Sequence, residues 1–241
     1  MPKELANKIQ VRHLLNHSSG LGDFFSNAFK EDATVDFQSL ESYKKYLNQA
    51  QLQFEPGTSW FYSNTGMLLL GGIIEKVSGQ NYFDYIEKNI YSVAGMTASG
   101  LEAEKGVEAN QAIGYIPKLD GSYEPNLNSA FTRASPAGGG YSTIADLHKF
   151  GQALLSGKLL NDSSMQKMFK DELGRQYGYG FQIWDTPGKH VVGHSGGAPG
   201  VSAVAYLFPE TGYMVIILSN YDRGSADLGE YLLNSLKFIG K

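Results

Sequence analysis

The residues best suited to chemistry fall in two short groups, Tyr62-Ser63-Asn64 and His194-Ser195-Gly196-Gly197. A phenol can carry a proton in and out of a reaction when nearby cations lower its pKa, and a carboxamide can position a substrate amide. In an extended segment, positions i and i+2 project to one side, so Tyr62 and Asn64 would face a common target. The Pro56-Gly57 turn before them and an apolar helix after them would hold that segment rigid. Taken alone, the three residues fit a plainer reading better: a buried aromatic, with Asn64 or Thr65 capping the next helix. In the second group a polar or cationic ring, a hydroxyl and two glycines in succession can line a pocket wall. Glycine there lets a substrate approach backbone N–H groups, one of which can contribute to an oxyanion hole. A Gly-rich turn between strands accounts for the same four residues equally well.

Other arrangements are weaker. Gly193-His194-Ser195-Gly196-Gly197 spells the G-x-S-x-G of a nucleophile elbow, which needs a helix after the serine and a histidine downstream. Pro199-Gly200 and a strand-like run follow instead, and none of His13, His17, His148, His190 and His194 lies beyond Ser195. His13 and His17 have the i, i+4 spacing of a zinc helix, but position 14 is not Glu and no third ligand is evident, so structural roles at a helix end fit better. Gly138-Gly139-Gly140 lacks the Lys-Ser/Thr of a phosphate loop and reads as a tight turn. No metal and no cofactor is implied.

The elements that must position these groups divide into two halves. Helices are expected over Val11–Asn16, Leu40–Gln51, 66–78 and Tyr82–Asn89, joined by polar loops. Residues 66–78 are apolar on nearly every side, which predicts a buried helix, and Gly71-Gly72 would let a neighbour approach closely. Residues 98–135 show no period and read as loop. Thr143-x-x-Asp146 opens a further helix, closed by Gly157. Strands are expected over Tyr177–Trp184, His190–His194, Val201–Phe208 and Tyr213–Ser219, with a helix from Asp227 to Ile239. Their connections are short, as at Pro187-Gly188 and Pro209-Glu210-Thr211-Gly212, which favours an antiparallel meander. The fold class is α+β: a helical lobe over about 10–170, and a sheet lobe with a covering C-terminal helix over about 175–241.

Composition narrows the field. The 241 residues are 42% hydrophobic and 18% charged, enough for one substantial domain or two modest lobes. A net charge of −4 gives no electrostatic case for nucleic acid or an anionic membrane. No apolar run approaches the roughly 20 residues of a bilayer span. With no cysteine there is no disulfide or thiolate chemistry.

In order, the pieces resemble the serine β-lactamase and penicillin-binding-protein superfamily: class C β-lactamases, D-alanyl-D-alanine carboxypeptidases and related esterases. The resemblance rests on Ile9–Leu21, on Phe54–Gly66 with its Tyr-x-Asn, on Ala137–Leu147 and on Gly193–Gly200. It implies acyl-enzyme hydrolysis of a β-lactam, peptide or ester, and a periplasmic or extracellular setting. Tyr62 would be the proton shuttle and Asn64 would bind the substrate's amide carbonyl. His194 stands where many members have Lys and would be a weaker, pH-dependent cation. Ser195 would hydrogen-bond a substrate carboxylate or carbonyl, with Gly196 beside it and the Gly197 N–H as an oxyanion donor. The family's nucleophile motif, Ser-x-x-Lys, precedes the His13–Gly20 segment. The formal matches here, Ser42-x-x-Lys45 and Ser164-x-x-Lys167, both follow it and are no more than chance produces. Residues 1–241 are therefore expected to be a single truncated domain lacking the N-terminal strands and nucleophile helix, inactive alone. A partner chain or swapped segment would cover the open sheet edge. The alternative is a non-catalytic relative that binds a peptide or peptidoglycan-like ligand.

Overall fold

The computed structural model describes residues 3–25, 39–48, 51–101, 111–126, 134–186 and 189–236. They fall into two compact units, one within Met1–Asn89 and Arg133–Gly139, the other within Ile90–Thr132 and Gly140–Lys241.

The first unit is helical: α1 (Lys3–Ala6), α2 (Val11–Leu15), a 3₁₀ turn at Leu40–Tyr43 running into α3 (Lys44–Asn48), α4 (Asn64–Ser78) and α5 (Tyr82–Ile86). The single helix expected over Leu40–Gln51 is thus a tight turn plus one short helix, and residues 49–50 lie outside the described residues. Phe24, Leu40, Tyr43 and Leu68 form the core. The expectation of an all-round buried helix at 66–78 is met only in part. Leu68 and Gly71 are buried, whereas Val77 is 79% exposed and a Cβ on Gly72 would meet nothing within 4 Å. At 3.6 residues per turn only one stripe of α4 can face α2 and the Leu40–Tyr43 turn. Gly71 lies on that stripe. A Cβ there would stand 2.2 Å from Pro136 Cγ, so the close approach requires glycine.

The second unit holds α6 (Ser92–Ala94), a hairpin of β1 (Tyr115–Pro117) and β2 (Tyr123–Pro125), α7 (Ile144–Leu155), α8 (Asp162–Met168), a four-stranded sheet and α9 (Gly224–Leu236). The small hairpin, closed at Gly121, was not legible in the aperiodic stretch 98–135; residues 102–110 and 127–133 lie outside the described residues. The sheet is the expected antiparallel meander, in order β3 (Gln182–Thr186), β4 (Lys189–Ala198), β5 (Val201–Phe208) and β6 (Tyr213–Ser219). β4 is longer than expected and runs through both glycines of His194-Ser195-Gly196-Gly197. Tyr177, expected inside β3, makes only an isolated bridge to Gln182. Pro187-Gly188 and residues 237–239 lie outside the described residues.

Alternation divides the sheet's side chains between two cores. Ile183, Val192 and Leu207 pack with Leu154 of α7 and with Phe169. Val191, Val204 and Tyr206 pack with Leu233 of α9 and with Trp184. Helices therefore cover both faces, and Tyr206 meets Trp184 edge-on at 4.7 Å.

α7 begins as its sequence suggests, with Thr143 Oγ1 accepting the Asp146 N–H at 3.1 Å. Asp146 does not complete the reciprocal capping box. Its carboxylate is 1% exposed and accepts the Ala98 N–H (2.6 Å), the Ser99 hydroxyl (2.9 Å) and Lys149 Nζ (2.8 Å). Burial alone would push this carboxyl up, but those donors outweigh it and hold it below the usual carboxylate range. Asp146→Ala should cost about 2–3 kcal/mol, because it strands buried donors. The stabilisation is complete above the unfolded carboxylate pKa, about 4, and lost as pH falls through the lower folded value. Thermal melts of wild type and Asp146→Asn from pH 7 to pH 3 should converge at the acid end.

Candidate active site

In the first unit Tyr62-Ser63-Asn64 is clamped by the segment after α2. The Gly57 N–H donates to Ser18 O (2.8 Å), and the Phe61 N–H donates to His17 O (3.0 Å). Ser63, fully buried, is the hub. Its N–H donates to His17 Nδ1 (3.1 Å), its hydroxyl donates to Gly22 O (2.8 Å), and its oxygen accepts the Gly66 N–H (3.1 Å). The cap of α4 is therefore Ser63, not Asn64 or Thr65. Because His17 Nδ1 accepts, a neutral His17 carries its proton on Nε2. The Tyr62 ring lies over the His17 ring, centroids 4.1 Å apart and tilted by 35°.

Asn64 is the first residue of α4, so the extended i, i+2 relation to Tyr62 breaks at that point. Its side-chain NH₂ donates to Asp23 Oδ2 at 2.6 Å, which leaves one amide hydrogen for a substrate carbonyl. Burial pushes the Tyr62 phenol above its ordinary pKa, and the nearby Asp23 carboxylate adds to the rise. Tyr62 accordingly holds its proton near neutral pH, the reverse of the lowered pKa that a shuttling base needs. Sequence reasoning gave His17 a structural role without its partner and missed Asp23. The available signal was the uncharged polar run Asn16–Ser19 between two leucines, all four residues of which are buried.

His13 and His17 serve separate backbone groups rather than one metal: His13 Nδ1 accepts the Gln10 N–H at 3.2 Å. Ser42 lies in the 3₁₀ turn with Lys45 one turn on in α3, and Ser164 and Lys167 are exposed on α8.

In the second unit the strand geometry sorts the other group. His194 and Gly196 face the α7 side of the sheet; Ser195 and Gly197 face α9. The shared pocket wall expected for His194 and Ser195 is therefore divided by the sheet. His194 Nδ1 lies 2.6 Å from Ser195 O, a pure acceptor, so Nδ1 bears the proton. Nε2 then accepts from the Tyr177 hydroxyl at 2.9 Å. Burial lowers the His194 pKa, against a smaller opposing effect from the bond to Ser195 O. The ring is neutral near pH 7 and becomes a cation only at lower pH.

Ser195 directs both its N–H (3.1 Å) and its hydroxyl (3.2 Å) to Gln182 Oε1, and it lines a cavity of about 450 Å³ with Trp184, Tyr206 and Leu233. Its N–H thus points away from β5. By the same alternation the Gly197 N–H points the same way, past Gln182, where pairing with β3 stops. Gly196 and Gly197 are exposed, and a Cβ on Gly196 would meet nothing within 4 Å. An N–H without a partner among the described residues, on an exposed glycine edge, is the geometry an oxyanion donor needs. Tyr177 and Gln182 orient this strand, and neither stood out in the sequence beyond general strand character.

An α+β fold with Tyr-x-Asn at a helix start and a His-Ser-Gly-Gly strand defines the class of penicillin-binding-protein-like serine hydrolases. A family description, Beta-lactamase, matches residues 2–235, and the chain belongs to that family. It is 31% identical over 229 residues to the putative penicillin-binding protein PbpX of Bacillus subtilis (strain 168), covering 92% of this chain and 53% of that protein. Against penicillin-binding protein 4* of the same organism it is 31% identical, covering 93% and 55%. The chain thus spans about half the length of the curated relatives it matches. The crystal structure of a penicillin-binding protein from Bacillus halodurans superposes with a TM-score of 0.87 at 30% identity, over 98% of this chain and 76% of that one. A D-amino acid amidase from Ochrobactrum anthropi SV3 superposes at 0.80 and 25% identity, over 98% and 73%.

Two outcomes follow from the hydrogen bonds. Ser63→Ala should cost about 2 kcal/mol in a denaturant titration, because it removes a helix cap and strands the Gly22 carbonyl and Gly66 N–H. In an NMR titration the His194 imidazole should show the Nδ1–H tautomer with a midpoint below 6.5. Tyr177→Phe should raise that midpoint, since it deletes a donor that favours the neutral ring.

Proposed function

We propose that these 241 residues carry the substrate-positioning part of a serine hydrolase that acts by acyl transfer on a D-amino-acid peptide or amide, a β-lactam or an ester, and do not acylate by themselves. The observation that carries the reading is the fixing of Tyr62 and Asn64 around the buried Ser63 hub, with spare hydrogen-bonding capacity on Asn64. Tyr62, protonated near neutral pH, is suited to donate to a leaving group. Asn64 offers its second amide hydrogen to a substrate carbonyl, and the Gly197 N–H offers charge stabilisation to an oxyanion. His194 contributes shape and a neutral ring, and Ser195 holds its strand to Gln182 rather than touching substrate. Ser164 and Lys167 are exposed on α8. Carboxypeptidase or esterase action would depend on the leaving group presented to the same groups.

A non-catalytic reading has its own support. The raised Tyr62 pKa and lowered His194 pKa leave both groups neutral, which suits hydrogen bonding to a peptide or peptidoglycan-like ligand more than proton transfer. In either case the outer edge of β6 has no strand partner among the described residues. Its seven residues carry no charge and no proline, so a further strand, from a partner chain or a swapped segment, would pair there.

Incubation with a reactive penicillin and, separately, a fluorophosphonate, followed by intact mass measurement, tests the proposal. The expected mass is unshifted. A stable adduct on Ser42, Ser164 or Ser195 overturns it. Binding of a D-alanyl-D-alanine peptide by the unlabelled protein would favour the non-catalytic reading.

A further inference from the structure

The β1–β2 hairpin carries an arrangement that the groups described so far do not use. Tyr115-Ile116-Pro117 and Tyr123-Glu124-Pro125 pair so that Tyr115 lies opposite Pro125 and Pro117 opposite Tyr123. With a two-residue period these four rings share one face, and Ile116 and Glu124 share the other. The ring face is solvent-exposed, Tyr123 at 55%, while Ile116 is half-buried. Tyr221, which follows β6, adds a fifth ring: its centroid lies 5.6 Å from that of Tyr123 at 59°.

This face is tied to the end of the sheet where Gly196 and Gly197 are exposed. The Tyr115 N–H donates to Gly200 O (3.2 Å) and Asn220 O (3.0 Å), and the Asn126 side chain donates to Pro199 O. Ser202, paired with Gly197 across β4 and β5, donates its hydroxyl to Tyr221 O at 2.9 Å. Ring positions are therefore fixed relative to the candidate oxyanion edge within the same unit.

Rigid exposed rings lose little conformational freedom on binding. Their chemistry selects the ligand. Three of the five rings carry hydroxyls at the rim, offering hydrogen bonds around an apolar platform. The hairpin's cation, Lys118, is paired with Glu124 at 3.1 Å, so nothing in the hairpin favours an anion. A neutral, hydroxyl-rimmed ring face complements a pyranose, which is apolar on its faces and hydroxylated around its edge.

We propose that the Tyr115–Pro117–Tyr123–Pro125–Tyr221 face binds a sugar ring of a glycan-bearing substrate beside the Gly197 end of β4. The inference rests on the reading of a peptidoglycan-like ligand and narrows it. The test is titration of the intact chain with a β-1,4-linked N-acetylglucosamine tetramer, followed by calorimetry and tyrosine NMR shifts. Saturable binding is expected, about tenfold weaker in Tyr123→Ala and in Tyr221→Ala and nearly retained in Tyr123→Phe. Unchanged melting temperatures would show that the alanine variants fold. Absence of saturable binding, or wild-type affinity in both alanine variants, overturns the proposal. So does a dimer in sedimentation that Tyr123→Ala abolishes, because the face would then serve a second copy. Glycan binding is read without acylation, so a penicillin adduct would overturn the proposed function and leave this result standing.

Discussion

The register of β4 against β5 is the constraint on which most of the second unit depends. Val191 and Val192 sit in different cores, and the same alternation sends His194 to one side and Ser195 to the other. A slip of one residue would exchange the two faces and drive a valine from each core into the other, where it was not packed to fit. The register is fixed from both sides. Gly193 lies against β5 so closely that a Cβ there would stand 2.0 Å from Ala205 O, and Gln182 ties down Ser195 from the β3 side. Chemistry and packing share one strand, so neither can shift without the other.

The first unit solves a different problem. Its interior around Ser63 is polar, and a polar interior is stable only when each group finds a partner. Asn16, His17, Ser18, Ser19 and Ser63 are all buried and bonded to backbone or to one another. His17 takes φ +59°, uncommon for a non-glycine residue, and the bond from the Ser63 N–H fixes its ring there. That local strain is the cost of placing an imidazole under Tyr62.

Much of this was legible in sequence where one local rule dominates. β5 and β6 have the expected bounds because alternation and short turns agree, and α7 starts where Thr143 caps it. Tyr62, Asn64 and His194 drew notice through their motifs, although the motifs did not tell which face each would take. The glycines of His194-Ser195-Gly196-Gly197 suggested a turn or a pocket wall; only pairing with β5 shows them to be strand. Protonation was the least legible, because it depends on contacts distant in sequence. Burial, with Asp23 adding to it, raises Tyr62, and burial lowers His194. The hairpin at Tyr115–Pro125 escaped because three-residue strands carry too few positions to show a period.

Gly71 has a consequence for how the chain can be divided. Its missing side chain makes room for Pro136, a residue reached only after the polypeptide has left the first unit and entered the second. A cut near residue 90 would yield a fragment with a notch on α4 and nothing to fill it. The helical unit is discontinuous, so it cannot be excised as a single stretch, and on the ribosome it stays incomplete until the segment ending at Gly139 has emerged.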